Sequence, residues 1–419
     1  MSNTVKKLEL FFIIVFYKLF LEENYYIIVK NIVSYEKMTY EYNNFLYILS
    51  WCIIIVFYKL IFRIYLKFLN AKIEGLIFFN LIFIAFIPFL AMLPFSGFHS
   101  KFILYSVFFY FFLFNVIRIK NIDLKKRKSL RINKKNCRLY FITFNLFIFF
   151  IVFYVSSKVS FRILINFSEV YKYRQIDLKL YKTIDYILGS LKIICPILLL
   201  HFLIRKNILK VMFIILEILL LYGIYGEKTI IFLLAITIGI YLFLNTRTLK
   251  IYPYGFLSIV VLAFYEFKIL QSFYVNNFII RRVFFFTNKI QEAYFTHFVI
   301  EKMKNLETTY ELSHLMAGLY FDDFNMGINS GLVSDAVSNF GKLGILLYPL
   351  AILLLMKILS FFTQGIDIRI KFLLGLYVSI LLVSTFLKTM LLSHGIFLII
   401  ILLFLVKNLT EKREWQQLL

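Results

Sequence analysis

The chain of 419 residues is 61% hydrophobic and only 17% charged, against about 45–50% apolar and about 25% charged in an average globular chain. Its mean hydropathy of +0.83 comes from long uninterrupted apolar runs, which excludes a disordered chain, a secreted disulfide scaffold and an ordinary cytosolic enzyme. The polar remainder is basic, with 47 Lys and Arg against 23 Asp and Glu and a net charge of +24, a balance suited to anionic headgroups or a polyanionic ligand.

Set against the roughly 20 residues that one bilayer crossing needs, the runs predict an all-α, polytopic transmembrane bundle forming a single integral membrane domain over 1–419. About twelve spans are expected, at 8–22, 45–68, 75–93, 102–118, 139–156, 184–204, 208–224, 228–244, 255–274, 341–360, 371–390 and 394–407. Lys6 and Lys7 precede the first run, but no small-residue cleavage site follows it and Lys18 interrupts it, so the expectation is an uncleaved first helix. Pro88, Pro196 and Pro349 fall inside spans, where neighbouring helices, waters or hydroxyls can satisfy the freed carbonyls. Cys52 and Cys195 lie in apolar runs and read as small buried hydrophobes, and no Cys or His spacing suggests a metal.

Orientation rests on the loop 118–138, which carries ten Lys and Arg against the single acid Asp123. Short basic loops stay cytoplasmic. With that loop inside, Arg205–Lys206, Arg247–Lys250, Arg369–Lys371 and both termini also fall inside. Two long segments, 156–183 and 275–340, then face outward although they carry Arg162, Arg174, Arg281 and Arg282 among other cations. Cations kept on the outer face against the usual bias point to an anionic ligand there.

Five constellations carry the chemistry. In the first, Tyr171 and Arg174 are three apart and share a helical face, either as a phenol beside a phosphate-binding fork or as an interfacial aromatic with a snorkelling arginine. Lys192 stands four residues before Pro196 inside the sixth span, where a cation calls for a partner, a pathway or a route to the interface. Gly223 and Gly226 are expected to turn, with Lys228 opening the eighth span beside Glu227 as a local pair. Arg281 and Arg282 are adjacent, hence about 100° apart on a helix, so that one is free to face a ligand while the other meets headgroups; His297 follows on the same aromatic-rich stretch. Last, Asn329 precedes a helix on which Asp335 and Asn339 share a face, and Gly341 and Gly344, three apart, would let a neighbouring helix approach. Asp335 suits either a base or sugar-hydroxyl acceptor, or a simple complement to the helix N-terminus.

This ordered set, Val170-Tyr171-x-x-Arg174, Lys192-x3-Pro196, Lys228, Arg281-Arg282 and Asn329-x5-Asp335-x3-Asn339-Phe340-Gly341-x-x-Gly344, resembles the bacterial oligosaccharide repeat-unit polymerases, the O-antigen or capsule polymerase family of Wzy type. The resemblance covers roughly 165–345. It implies a multispanning glycosyltransferase of the bacterial inner membrane, without metal or other cofactor. Such an enzyme moves a growing glycan from undecaprenyl pyrophosphate onto a lipid-linked repeat unit at the outer face, with membrane lipids and a chain-length regulator as partners and no nucleic acid. By carry-over, Arg174, Arg281 and Arg282 take the phosphates, and Asp335, with Asn329 near the acceptor, is the expected base; Tyr171, Lys192, Lys228, His297 and Asn339 complete the binding set. Some members follow an outer-loop arginine with ten residues and a glycine; here the corresponding residues are Asp185 after Arg174 and Ala293 after Arg282. An O-antigen ligase uses the same kind of donor. A flippase for the same units would spread polar residues along its spans, and a membrane scaffold would not need the outer arginines.

Overall fold

The computed structural model describes residues 3–31, 37–118, 134–158, 182–303, 309–325, 327–328 and 331–410. Among them the secondary structure is helical throughout, with no strand, and nine helices are long and apolar enough to cross a membrane. Local chemistry sets several ends. The Asn43 side chain accepts the Leu46 N–H at 3.1 Å to start Asn44–Leu69, and Asn207 does the same for Lys210 at 3.3 Å to start Ile208–Tyr225. Gly226, at φ +61°, ends that second helix in the left-handed conformation that glycine adopts without a Cβ penalty.

Three of the twelve expected spans differ from the nine. The first is part of a 29-residue helix, Asn3–Asn31, whose charged residues remove it from the purely apolar class. The eighth is the 16-residue helix Lys228–Phe243, about 24 Å long at 1.5 Å per residue and so short of a hydrocarbon core of about 30 Å. The eleventh, expected as one run over 371–390, is broken after Ser384: Ile368–Ser384 stops, and Leu387–Leu392 begins the next apolar element, itself interrupted before Ile396–Thr410. The outer segment 275–340 is helical over 276–300, Thr309–Phe321 and Val333–Phe340, the last of these being the expected helix of Asp335 and Asn339.

The chain divides into two compact units. The first comprises Met1–Asn121, Thr246–Lys357 and Val378–Leu387. At its centre runs Ile73–Met92, buried along its whole length and wound through a π-helical turn at Ile82–Phe86. Asn44–Leu69 packs on its first half, and Asn3–Asn31 packs on its second half and on Tyr252–Leu270. Gly75 allows a close approach of Asn44–Leu69 and Ile73–Met92, since a Cβ there would lie 2.4 Å from the Lys67 carbonyl carbon. Aromatic rings fill the rest, with Phe83 stacked on Phe256 at 4.9 Å and Phe68 on Phe79 at 4.4 Å. Three buried side chains bond across helices: Tyr17 Oη donates to the Phe83 carbonyl at 2.8 Å, Asn24 Nδ2 to the Val260 carbonyl at 2.9 Å, and Tyr252 Oη to Asn80 Oδ1 at 2.8 Å.

The second unit comprises Ile122–Asn245, Ile358–Tyr377 and Lys388–Leu419. In it Lys182–Ile204 packs on Ile208–Tyr225 and Lys228–Phe243, and Lys134–Lys158 on Ile208–Tyr225 and Ile396–Thr410. The break at 393–395 is itself a packing device. Gly395 takes φ +74° and approaches Ser190, while Gly189 receives the Ser393 carbonyl. Cys195 is buried here as expected, but Cys52 of the first unit is exposed on its helix surface.

Candidate functional site

Most of the expected site residues that the structure describes lie in the first unit. Residues 276–300 form one helical segment in which Asn276–Phe285 and Thr296–Ile300 are π-wound around the α-helical Phe286–Phe295. Such wide turns are uncommon and cluster at functional sites. The two arginines divide between interior and surface. Arg281 is 5% exposed and its Nε donates to Asn277 Oδ1 at 3.0 Å. Arg282 is exposed, its guanidinium 5.8 Å from the Phe278 ring centre. Farther along, Glu292 accepts from Lys289 Nζ at 2.7 Å and from the His99 N–H at 3.1 Å.

His297 closes the segment. It is buried, with Nδ1 3.4 Å from Glu301 Oε2, and that carboxylate also accepts from Tyr320 Oη at 3.2 Å. Burial lowers the imidazole pKa from its ordinary value, and the Glu301 charge opposes that shift without reversing it. His297 is therefore neutral at pH 7. The same chemistry drives the Tyr320 phenol up.

The α-helical part of this segment packs against Val333–Phe340, which holds Asp335. The chain enters that helix through Gly331, whose N–H donates to the Val383 carbonyl at 3.1 Å and where a Cβ would lie 1.8 Å from the Leu382 carbonyl oxygen. Asp335 is 2% exposed. Its Oδ2 accepts the Leu387 N–H at 2.5 Å, its Oδ1 accepts Asn339 Nδ2 at 2.6 Å, and the buried Tyr348 phenol lies beside it. Both carboxylate oxygens are thus held by donors of the chain itself, and the pairing of Asp335 with Asn339 follows from their i, i+4 spacing. The two glycines do not form one packing surface. A Cβ at Gly341, at φ +52°, would meet nothing within 4 Å, whereas at Gly344 it would lie 2.3 Å from the Ala336 carbonyl oxygen. Gly341 makes the turn and Gly344 makes the contact.

Lys192 and Lys228 belong to the second unit. Lys192 Nζ lies 2.8 Å from Glu227 Oε1 and 4.2 Å from the Tyr225 ring centre. Glu227 therefore pairs with a lysine thirty-five positions earlier, where a local partner in Lys228 was expected; Lys228 is exposed at the first position of its helix. Gly223 lies within Ile208–Tyr225 and only Gly226 turns. One group here had no sequence signal beyond its charge: Glu217, fully buried mid-helix, with Cys195 Sγ 3.9 Å from Oε2. Tyr171, Arg174 and Asn329 lie outside the described residues.

The sequence pattern also passed over a cleft of about 640 Å3 along the second half of Asn3–Asn31, lined by Glu22, Glu23, Tyr26, Tyr40, Tyr42 and Tyr47 among others. Its only trace is the density of tyrosine and acid in LEENYY and YEYNN, which lies between apolar runs. No protein-family model, curated protein or solved structure matches the chain.

Proposed function

We propose that this chain is a surface-polysaccharide polymerase of the bacterial inner membrane. In this reading it moves a growing O-antigen or capsule glycan from undecaprenyl pyrophosphate onto an incoming lipid-linked repeat unit at the outer face. The observation that carries the proposal is the arginine pair on the helical segment 276–300: Arg281 oriented by Asn277 at 3.0 Å and Arg282 directed outward, on a segment that lies between membrane-length helices. An arginine already fixed in position suits a pyrophosphate that must be neutralised as it leaves.

The transfer needs three events. An acceptor hydroxyl oxygen forms the new bond to the anomeric carbon, the bond from that carbon to the pyrophosphate oxygen breaks with its electron pair, and the hydroxyl proton goes to a base. Arg281 and Arg282 take up the charge on the departing pyrophosphate. The base is His297, neutral at pH 7 and paired with Glu301 at 3.4 Å. Asp335, with both oxygens engaged, positions Val333–Phe340 beneath that segment.

Purified protein and a synthetic undecaprenyl-pyrophosphate-linked repeat unit should give a ladder of products, with the lipid pyrophosphate released in step. Release without a ladder, or no reaction with chelator present and none absent, refutes the assignment. A second reading, movement of the same units across the membrane, is favoured by Glu217, because a buried carboxylate inside a membrane-length helix commonly marks a pathway. Transfer of a fluorescent lipid-linked unit between the leaflets of vesicles, without polymer, would select it.

A further inference from the structure

The cleft along the second half of Asn3–Asn31 combines a continuous aromatic wall with a lining whose only charged side chains, among the described residues, are acidic, Glu22 and Glu23. The stretch carrying Tyr40 and Tyr42 is fixed by two backbone bonds, Glu41 N–H to the Phe95 carbonyl at 2.7 Å and Asn43 N–H to the Pro94 carbonyl at 2.9 Å. Tyr40 stacks on Phe95 with ring centres 4.9 Å apart and planes within 10°. Tyr26 meets Tyr40 edge-on at 5.1 Å, and Tyr42 lies 5.7 Å from Phe95 and 6.1 Å from Tyr47. Three of these rings remain open to the outside, Tyr26 at 39%, Tyr40 at 40% and Tyr42 at 55%.

The charge comes from one turn of helix. Glu22 is buried and holds the ammonium of Lys18, which is itself fully buried, 4.0 Å from the Trp51 ring centre and 5.2 Å from that of Tyr47. The adjacent Glu23 lines the cleft, is exposed, and has no ion-pair partner among the described residues. Lys30 stands over Tyr26, its Nζ 3.1 Å from the phenol oxygen. Lys18 and Glu22 cancel, and Lys30 sits on Tyr26 without lining the cleft, so Glu23 is the one uncancelled charge among the lining residues. Ring faces are negative and attract cations, and aromatic cages closed by a carboxylate take up ammonium groups. The chain already binds its own Lys18 ammonium with these components, a carboxylate and two ring faces.

We infer that this cleft is a binding site for a ligand ammonium group, held between Glu23 and the faces of Tyr40 and Tyr42. The group belongs either to a membrane-lipid headgroup or to an amino-bearing sugar or other soluble amine. The inference does not depend on the polymerase reading.

The test uses the full chain in nanodiscs of phosphatidylglycerol, which carries no amine. Calorimetric titration with choline and with ethanolamine should show saturable binding. The neutral isostere of choline, 3,3-dimethylbutan-1-ol, should bind at least about fivefold more weakly, as loss of one cation–ring and carboxylate attraction predicts. Glu23→Gln and Tyr42→Leu, both at exposed positions, should weaken choline by a similar factor while the melting temperature holds. Discs containing phosphatidylethanolamine separate the sources. Competition with choline there assigns the ammonium to lipid, and unchanged affinity assigns it to a soluble or glycan amine. Equal affinity for the neutral isostere, no saturable binding of either amine, or full binding by Glu23→Gln overturns the inference.

Discussion

Asp335 and Leu387 are joined by a bond across 52 positions of chain, the Leu387 N–H donating to Asp335 Oδ2 at 2.5 Å. Leu387 starts a helix, so its N–H has no intrahelical acceptor and a buried carboxylate supplies one. Asn in place of Asp offers an amide group of similar shape without the charge. Asp335→Asn should therefore cost about 1–3 kcal/mol of stability, seen as a lowered melting temperature. Polymer formation should fall by less than the 10²–10⁴-fold typical of losing a general base, with an unchanged pH profile. Full stability combined with a loss in that catalytic range would instead make Asp335 the base.

The arginine pair predicts a division of effects. Arg281→Ala should lower kcat by about 10²-fold or more, because it removes an oriented donor from the leaving group, and Arg281→Lys should recover only part of it because the fork is lost. Arg282→Ala, at the exposed position, should act mainly on KM. Initial rates on the synthetic lipid-linked unit at varied concentration measure both, and unaltered kinetics in Arg281→Ala would remove the arginines from the site.

The state of His297 sets a pH dependence. Burial lowers its pKa below the ordinary 6.5, so the base-competent neutral form dominates above that lowered value. Polymerisation should rise with pH through a midpoint below 6.5. Glu301→Gln removes the charge that opposes the shift and should move the midpoint farther down. For stability the sign is the following: the unfolded imidazole binds its proton more readily, so stability is fully present above pH 6.5 and falls as the pH drops from 6.5 toward the folded value. A rate that falls as the pH rises toward 7, or a midpoint that Glu301→Gln moves upward, contradicts the role.

Three glycines near Asp335 should respond differently to alanine. At Gly331 and Gly344 the new Cβ would lie 1.8 Å and 2.3 Å from a backbone carbonyl oxygen, of Leu382 and Ala336, so both variants must displace main chain. At Gly341 the space is open and only the backbone, at φ +52° and ψ −135°, is strained, a penalty of roughly 1–3 kcal/mol. Melting temperatures should rank Gly341→Ala well above the other two. A reversed order would mean that the close approaches are relieved elsewhere.

Apolar runs were legible because length and hydropathy are local properties. Asn44–Leu69 differs from its expected span by one residue at each end. The first helix runs beyond its expected span at both ends, through the polar 3–7 and 23–31 that a hydropathy count leaves out; inside it Lys18 and Glu22 are buried as a pair, two charges to a hydropathy count and one satisfied contact in the fold. Partners distant in sequence were not legible at all. Nothing near Glu227 announces Lys192, and nothing near Asp335 announces Leu387. The i, i+4 link from Asp335 to Asn339 could be read because helix geometry alone brings them together, and the split between Arg281 and Arg282 followed from their adjacency. The tyrosine cleft was missed because its walls come from three segments, each of which looks like an ordinary interfacial aromatic.

The helix Ile73–Met92 has no face left for lipid, and this constrains how the protein is made. Of the elements that enclose it, Tyr252–Leu270 and Asn276–Phe285 are encoded far downstream. At about 5–20 residues per second of synthesis, the ribosome needs on the order of 10–40 s after completing Met92 to complete Phe285. Throughout that interval a helix destined for the interior has Asn3–Asn31, Asn44–Leu69 and, once made, Ser100–Asn115 as cover, and the surface that the downstream elements will occupy must rest in lipid or on an insertion factor. Mutations in the distant segment 252–285 should therefore show first as degradation of nascent chains, before any defect in a finished molecule can be measured.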